Sequence, residues 1–149
     1  MRLWRISNYA DLTGAGGLIS PGRWHSRGTD IVYLAESPAS ALLERLVHLE
    51  IDTLDLPDFY QLIAVDTPDD VVFEAIDEKG LPANWRHDDN ATRPAGDIWL
   101  RANRTALLRV PSAIVPYTVN WLLNPIHPDA AKARITLVDR APFDRRLFR

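Results

Sequence analysis

Short runs of strand-type residues, broken by only two segments of helical period, restrict this chain to an α+β fold. Leu3 to Ser7 alternates apolar and polar side chains, the pattern of a strand with one buried face. Asp30 to Ala35 is β-branched and aromatic with apolar residues at both alternations, which predicts a strand covered on both sides. Tyr60–Asp66 and Val71–Ile76 read as short strands around a Thr67-Pro68-Asp69-Asp70 turn. Leu107–Val115 reads as another strand, which Pro111 must break or push to an edge beside Ser112, and Ile135–Asp139 as the last. A helix is predicted from Pro38 to about Glu50, with Ser37 as its N-cap and Pro38 where a missing N–H costs nothing. Its apolar stripe runs through Ala39, Leu42, Leu43, Leu46, Val47 and Leu49, which puts Ser40, Glu44 and His48 beside the core. Gly96–Leu107 has the spacing of a second helix, with Asp97 near its positive end, and Lys79–Pro94 reads as irregular. These elements do not alternate as βαβ units, so the expectation is a single compact domain over residues 1–149 with a mixed β core and a few helices.

Composition narrows the partners. With 46% hydrophobic residues and five tryptophans in 149 residues, the chain has the material for a core of its own. A net charge of −3 provides no global attraction for a polyanion, which argues against direct nucleic-acid binding and makes any anion site local. No cysteine is present, so disulfides, thiolate metal sites and a Cys nucleophile are excluded. The first residues lack the apolar run of a signal peptide, and no segment approaches the roughly 20 apolar residues of a membrane span, so a soluble cytoplasmic protein is expected. Base rates for soluble proteins make a homodimer the default oligomer.

Most familiar chemical signatures are missing. Gly14-Ala15-Gly16-Gly17 has neither P-loop spacing nor the dinucleotide fingerprint. The histidines at 25, 48, 87 and 127 are not spaced as a helical metal pair, and no Gly-x-Ser-x-Gly elbow surrounds a serine. What remains is a loop from Gly14 to Gly28 with five glycines, rich in backbone that can approach a ligand closely, and carrying Arg23, Trp24, His25 and Arg27.

Three segments together resemble one family. They are Gly22-Arg23-Trp24-His25-Ser26-Arg27-Gly28 leading into Val32-Tyr33-Leu34-Ala35; Ser37-Pro38-Ala39-Ser40-Ala41-Leu42-Leu43-Glu44-Arg45-Leu46-Val47-His48; and Val110-Pro111-Ser112-Ala113-Ile114-Val115-Pro116, followed by Asn120-Trp121-Leu122-Leu123-Asn124-Pro125-Ile126-His127-Pro128. This chain resembles the RES-domain proteins, named for an arginine, a glutamate and a serine that fall here on Arg23, Glu44 and Ser112. His25 is a departure, at a place where the family more often has asparagine. The resemblance implies an ADP-ribosyltransferase-like β core, NAD+ as substrate with no bound cofactor or metal, and a Xre-type helix-turn-helix antitoxin that occludes the site. DNA would be met only through that antitoxin.

Those residue types suit cleavage of the nicotinamide–ribose bond, whose transition state gathers positive charge on the ribose. Glu44 is the expected carboxylate beside that charge, although by position alone it reads as a solvated glutamate on a helix face. Arg23 is the expected pyrophosphate clamp, since a guanidinium fork grips two phosphate oxygens, with Arg27 as a second candidate. Tyr33 has a ring to stack on a base and a hydroxyl to offer ribose. Ser112 is expected to bond ribose or to orient Glu44, and no paired base marks it as a nucleophile. Asn124 and His127 are candidates for NAD+ contact within a turn-rich stretch where locking the loop is the competing role. Three acceptors of ADP-ribose stay open: water, inorganic phosphate as co-substrate, or a protein side chain. The alternative from another class is a non-catalytic module that only binds the antitoxin.

Overall fold

The computed structural model describes residues 1–49 and 55–148. Seven strands form one sheet: β1 (Arg2–Ile6), β2 (Val32–Ala35), β3 (Phe59–Asp66), β4 (Phe73–Ala75), β5 (Leu107–Pro111), β6 (Val119–Leu123) and β7 (Arg134–Pro142). Their order is β4-β5-β6-β2-β1-β3-β7, with β4 and β5 parallel and every other neighbouring pair antiparallel. The helices are α1 (Gly16–Ile19), α2 (Pro38–Val47) and α3 (Arg93–Ala102). The fold is thus α+β with a mixed sheet, as the scattered strand signals required.

The middle of the sheet is buried on both faces. Leu3, Val32, Leu34, Ile63, Val65, Leu107, Trp121 and Leu123 pack in one cluster, while Leu108, Val110 and Leu122 pack with Trp24, Trp85 and Trp99 in the other. Double coverage explains the continuous apolar run of β2, while β5 is apolar except at the exposed Arg109. It also explains why β6 has no alternating pattern: the sequence reading places no strand at 119–123, yet β6 lies between β5 and β2 with Trp121, Leu122 and Leu123 all buried.

Pro111 ends β5, and Ser112 turns out of the ladder, which stops well short of Val115. The second helix starts earlier than its spacing implied, at Arg93, and stops at Asn103, which takes a left-handed cap with φ 50°. Helix α2 begins as read, with the Ser37 hydroxyl accepting from the Ser40 N–H at 3.1 Å and Pro38 at the first position. Its predicted end near Glu50 lies outside the described residues. The orientation of α2 differs from expectation: Leu43 and Val47 are 42% and 56% exposed, whereas Ala41 is buried and Glu44 half-buried. Hydrophobic periodicity chose the stripe with most leucines, but the helix turns Ala41 and Glu44 inward because polar partners await the carboxylate there.

Two glycines set how closely the rim can pack. Gly96, in α3, lies so near the Trp24 backbone that an added Cβ would sit 1.6 Å from the carbonyl oxygen. Gly14, at φ 69°, occupies left-handed backbone that L side chains rarely adopt. Among the described residues, no helix is long and apolar enough to cross a membrane.

Candidate active site

Strands β1 and β2 meet at a single registered pair, Trp4 with Ala35. A cleft of about 680 Å³ runs between them, with Arg5 and Ile6 on one side and Tyr33 and Leu34 on the other. The glycine-rich loop from Gly14 to Trp24 covers it, and α2 contributes Glu44, Arg45 and His48. Its volume falls in the range of sites that enclose a cofactor-sized ligand.

Two carboxylates, Asp11 and Glu44, line this cleft; Asp11 Oδ1 accepts from the Thr13 N–H and hydroxyl, and Glu44 is the one held by donors from the sheet side. One oxygen, Oε1, accepts the Ser112 hydroxyl at 3.1 Å and an Asn120 amide N–H at 2.6 Å. The other, Oε2, has no hydrogen-bond partner among the described residues. Ser112 is 2% exposed, and its Oγ also accepts the backbone N–H groups of Ile114 and Val115. A hydroxyl has one proton to give. Here that proton is directed to Glu44, so Ser112 orients the carboxylate and has none left for ribose.

Arg23 lines the cleft, but its guanidinium is engaged elsewhere. It donates to the carbonyls of Trp85 and Arg86 at 2.8 and 3.1 Å and pairs with Asp89 at 3.0 Å. Arg86 in turn donates to the Ser112 carbonyl at 2.9 Å and to Glu78 at 2.6 Å. The three residues read from sequence are therefore joined in a chain, from Arg23 through the 85–89 loop and Arg86 to Ser112, and from Ser112 to Glu44. Arg5 is less tied than Arg23. It lines the cleft half-buried, donates only to the Asp11 carbonyl at 2.9 Å, and has no carboxylate within 4 Å among the described residues. Burial lowers its pKa, yet a guanidinium remains charged at any physiological pH.

Tyr33 presents its ring to the cleft while its hydroxyl is spoken for. The oxygen accepts the Trp24 N–H at 3.1 Å and lies 2.8 Å from His25 Nδ1. His25 Nε2 faces the Ser20 carbonyl at 3.1 Å, an acceptor, so Nε2 carries the proton and Nδ1 receives the tyrosine's. Burial, the largest cause, lowers the His25 pKa and raises that of Tyr33, which keeps both neutral. Tyr33 can therefore stack on a ring but has no hydroxyl proton left for ribose.

Three other expected contacts fall elsewhere. Arg27 is exposed and not part of the cleft wall. Asn124 is fully buried, donates to Asn103 and accepts from the Ile126 N–H, and His127 accepts the Asp129 N–H to cap a short 3₁₀ turn. Both lock their loop, the competing role, and neither lines the cleft. Sequence reasoning missed Arg5, Asn120 and Arg86. Arg5 occupies the polar phase of an alternating strand, which normally means solvent; Asn120 sits on an unread strand; Arg86 falls in the segment read as irregular.

A family profile described as the RES domain matches residues 2–146. This chain belongs to the RES-domain family. A RES-domain relative in Pseudomonas putida named "Toxin Res" is 48% identical, spanning 99% of this chain and all of its own length. Another, from Sphingobium sp., named "Prs ADP-ribosylating toxin", is 39% identical over 98% of this chain and 96% of its own. The RES-domain fold here is also similar to a chain in the crystal structure of the M. tuberculosis MbcT–MbcA toxin–antitoxin complex. That match has a TM-score of 0.73 and 16% identity, covering 98% of this chain and 85% of the other.

Proposed function

We propose that this RES-domain chain is the toxin of a bacterial toxin–antitoxin pair, and that it cleaves the nicotinamide–ribose bond of NAD+ and passes ADP-ribose to water or phosphate. The observation that carries this reading is the Glu44 carboxylate, held at the cleft by two donors on one oxygen with the other oxygen unpartnered among the described residues. As the C1′–N bond breaks, its electron pair leaves with nicotinamide and neutralises the ring, while positive charge collects on the ribose. Oε2 of Glu44 would face that charge from the half-buried wall of the cleft. Arg5 takes the pyrophosphate in this reading, Tyr33 supplies a stacking face, and Arg23 builds the wall that holds Ser112 in place. When water is the acceptor, its oxygen bonds to C1′ and one proton goes to solvent.

The toxin names of the relatives favour pairing with an antitoxin, for which the family resemblance implies a Xre-type helix-turn-helix protein. Tyr9 and Ile19, 74% and 72% exposed on the cleft wall, provide an apolar rim for such a partner to cover. A second reading, transfer of ADP-ribose to a protein, is favoured by the name of the Sphingobium relative. Incubating purified chain with NAD+, with and without phosphate, and weighing the products by mass spectrometry tests these readings. Free nicotinamide is expected together with ADP-ribose or its 1-phosphate. Unchanged NAD+ and no labelled protein would defeat them all. Growth arrest that persists in Glu44→Gln would favour a non-catalytic binding module instead.

A further inference from the structure

We infer that Asn120 is a positioning residue for Glu44, kept in the sheet at a cost to stability for that task. The inference rests on the reading of Glu44 given above. An ionised carboxylate can only accept, so the Asn120 amide must turn its Nδ2 toward Glu44, where it makes the 2.6 Å contact. That leaves Oδ1 pointing the other way, buried and without a partner. Buried amide oxygens without donors are rare in folded proteins and destabilise them.

The surroundings show why nothing meets Oδ1. Asn120 lies on β6 in register with Ala35 of β2 and Val110 of β5, both almost fully buried. An apolar side chain would suit the packing better, and among the described residues the single hydrogen bond the Asn120 side chain makes goes to Glu44. Ser112 reaches the same oxygen from the end of β5. Donors from β6 and from the turn that follows β5 therefore fix one carboxylate oxygen in two directions, and a side chain with three rotatable bonds is left with one defined place for Oε2. A group held this way need not reorganise as charge develops on the substrate.

The test uses Asn120→Leu, which removes the orphaned oxygen, and Asn120→Ala, which removes the amide without adding bulk. Rates of NAD+ loss and melting temperatures are measured for both, alone and with Glu44→Gln. In each single variant kcat is expected to fall about 10- to 100-fold, as for a misplaced catalytic group, while KM changes less than about threefold. The melting temperature of at least one variant stays level or rises. In the Glu44→Gln background the further loss is expected to shrink to about twofold, since coupled residues are not additive. An unchanged kcat, an additive loss in the double variants, or a fall in melting temperature in both single variants overturns the inference. If the wild-type protein consumes no NAD+, the proposed function fails on its own, and a crystal structure of Asn120→Ala decides this point. A carboxylate moved away from Ser112 or split between rotamers upholds the role, and an unmoved one refutes it.

Discussion

Replacing Glu44 by glutamine isolates charge from shape. Ser112 and Asn120 both donate to Oε1, so they select the oxygen of a glutamine and leave its NH2 where Oε2 now lies. Geometry is kept and the negative charge is lost. A carboxylate about 4 Å from a unit positive charge contributes about 4 kcal/mol at an effective dielectric near 20. At ~1.4 kcal/mol per decade, that predicts a loss of about 10³-fold in the rate of nicotinamide release. Because the charge on ribose develops in the transition state, kcat should carry most of the change and KM little. The two hydrogen bonds weaken when their acceptor becomes neutral, at about 1 kcal/mol, or a fall of roughly 2–4 °C in melting temperature for a chain of this size. The assay is steady-state nicotinamide release by chromatography beside thermal melting followed by circular dichroism. A loss below about tenfold, in protein that melts normally, would mean that no charge of consequence develops near Glu44 and would refute the mechanism.

Ser112→Ala should lower both stability and rate, because it orphans the N–H groups of Ile114 and Val115 and takes a donor from Glu44. The cost is about 1–3 kcal/mol, read as a melting temperature lower by several degrees; complete inactivity with an unchanged melt would instead mark Ser112 as a nucleophile. His25→Asn should flatten the acid side of the stability curve. Burial depresses the folded pKa of His25, so below about pH 6.5 the unfolded chain gains a proton that the folded chain refuses. Wild-type stability then falls with decreasing pH by up to about 1.4 kcal/mol per unit from this group, until the folded pKa is reached. Urea titrations at several pH values between 7 and 5 should show the variant without that slope, and equal slopes would exclude a neutral buried His25. Gly96→Ala forces a Cβ to within 1.6 Å of the Trp24 carbonyl oxygen. Overpacking of this kind costs about 1–3 kcal/mol, so a melt within 1 °C of wild type would contradict the close approach of α3 to the arginine loop.

Much of the architecture was legible because local rules act over short distances. The Ser37-Pro38 start of α2, the break of β5 at Pro111, and the doubly buried β2 follow from a cap, a missing N–H and an apolar run. The strand at β6 escaped notice because a segment buried on both faces loses the alternation that marks a half-exposed strand. The face of α2 was misjudged for a related reason: periodicity weighs apolar residues, and Glu44 is turned inward by donors 68 and 76 residues away in sequence.

By itself the sequence determined the α+β class, the glycine-rich loop and, through resemblance, the arginine, glutamate and serine to watch. Tertiary structure alone decided their division of labour. It tied the Arg23 charge to Asp89, left Arg5 without a carboxylate partner among the described residues, closed the Tyr33 hydroxyl onto His25, and aimed Ser112 and Asn120 at one oxygen of Glu44. The physical reason is that a polar side chain's role depends on which donors and acceptors share its space, and those come from strands far apart in the chain.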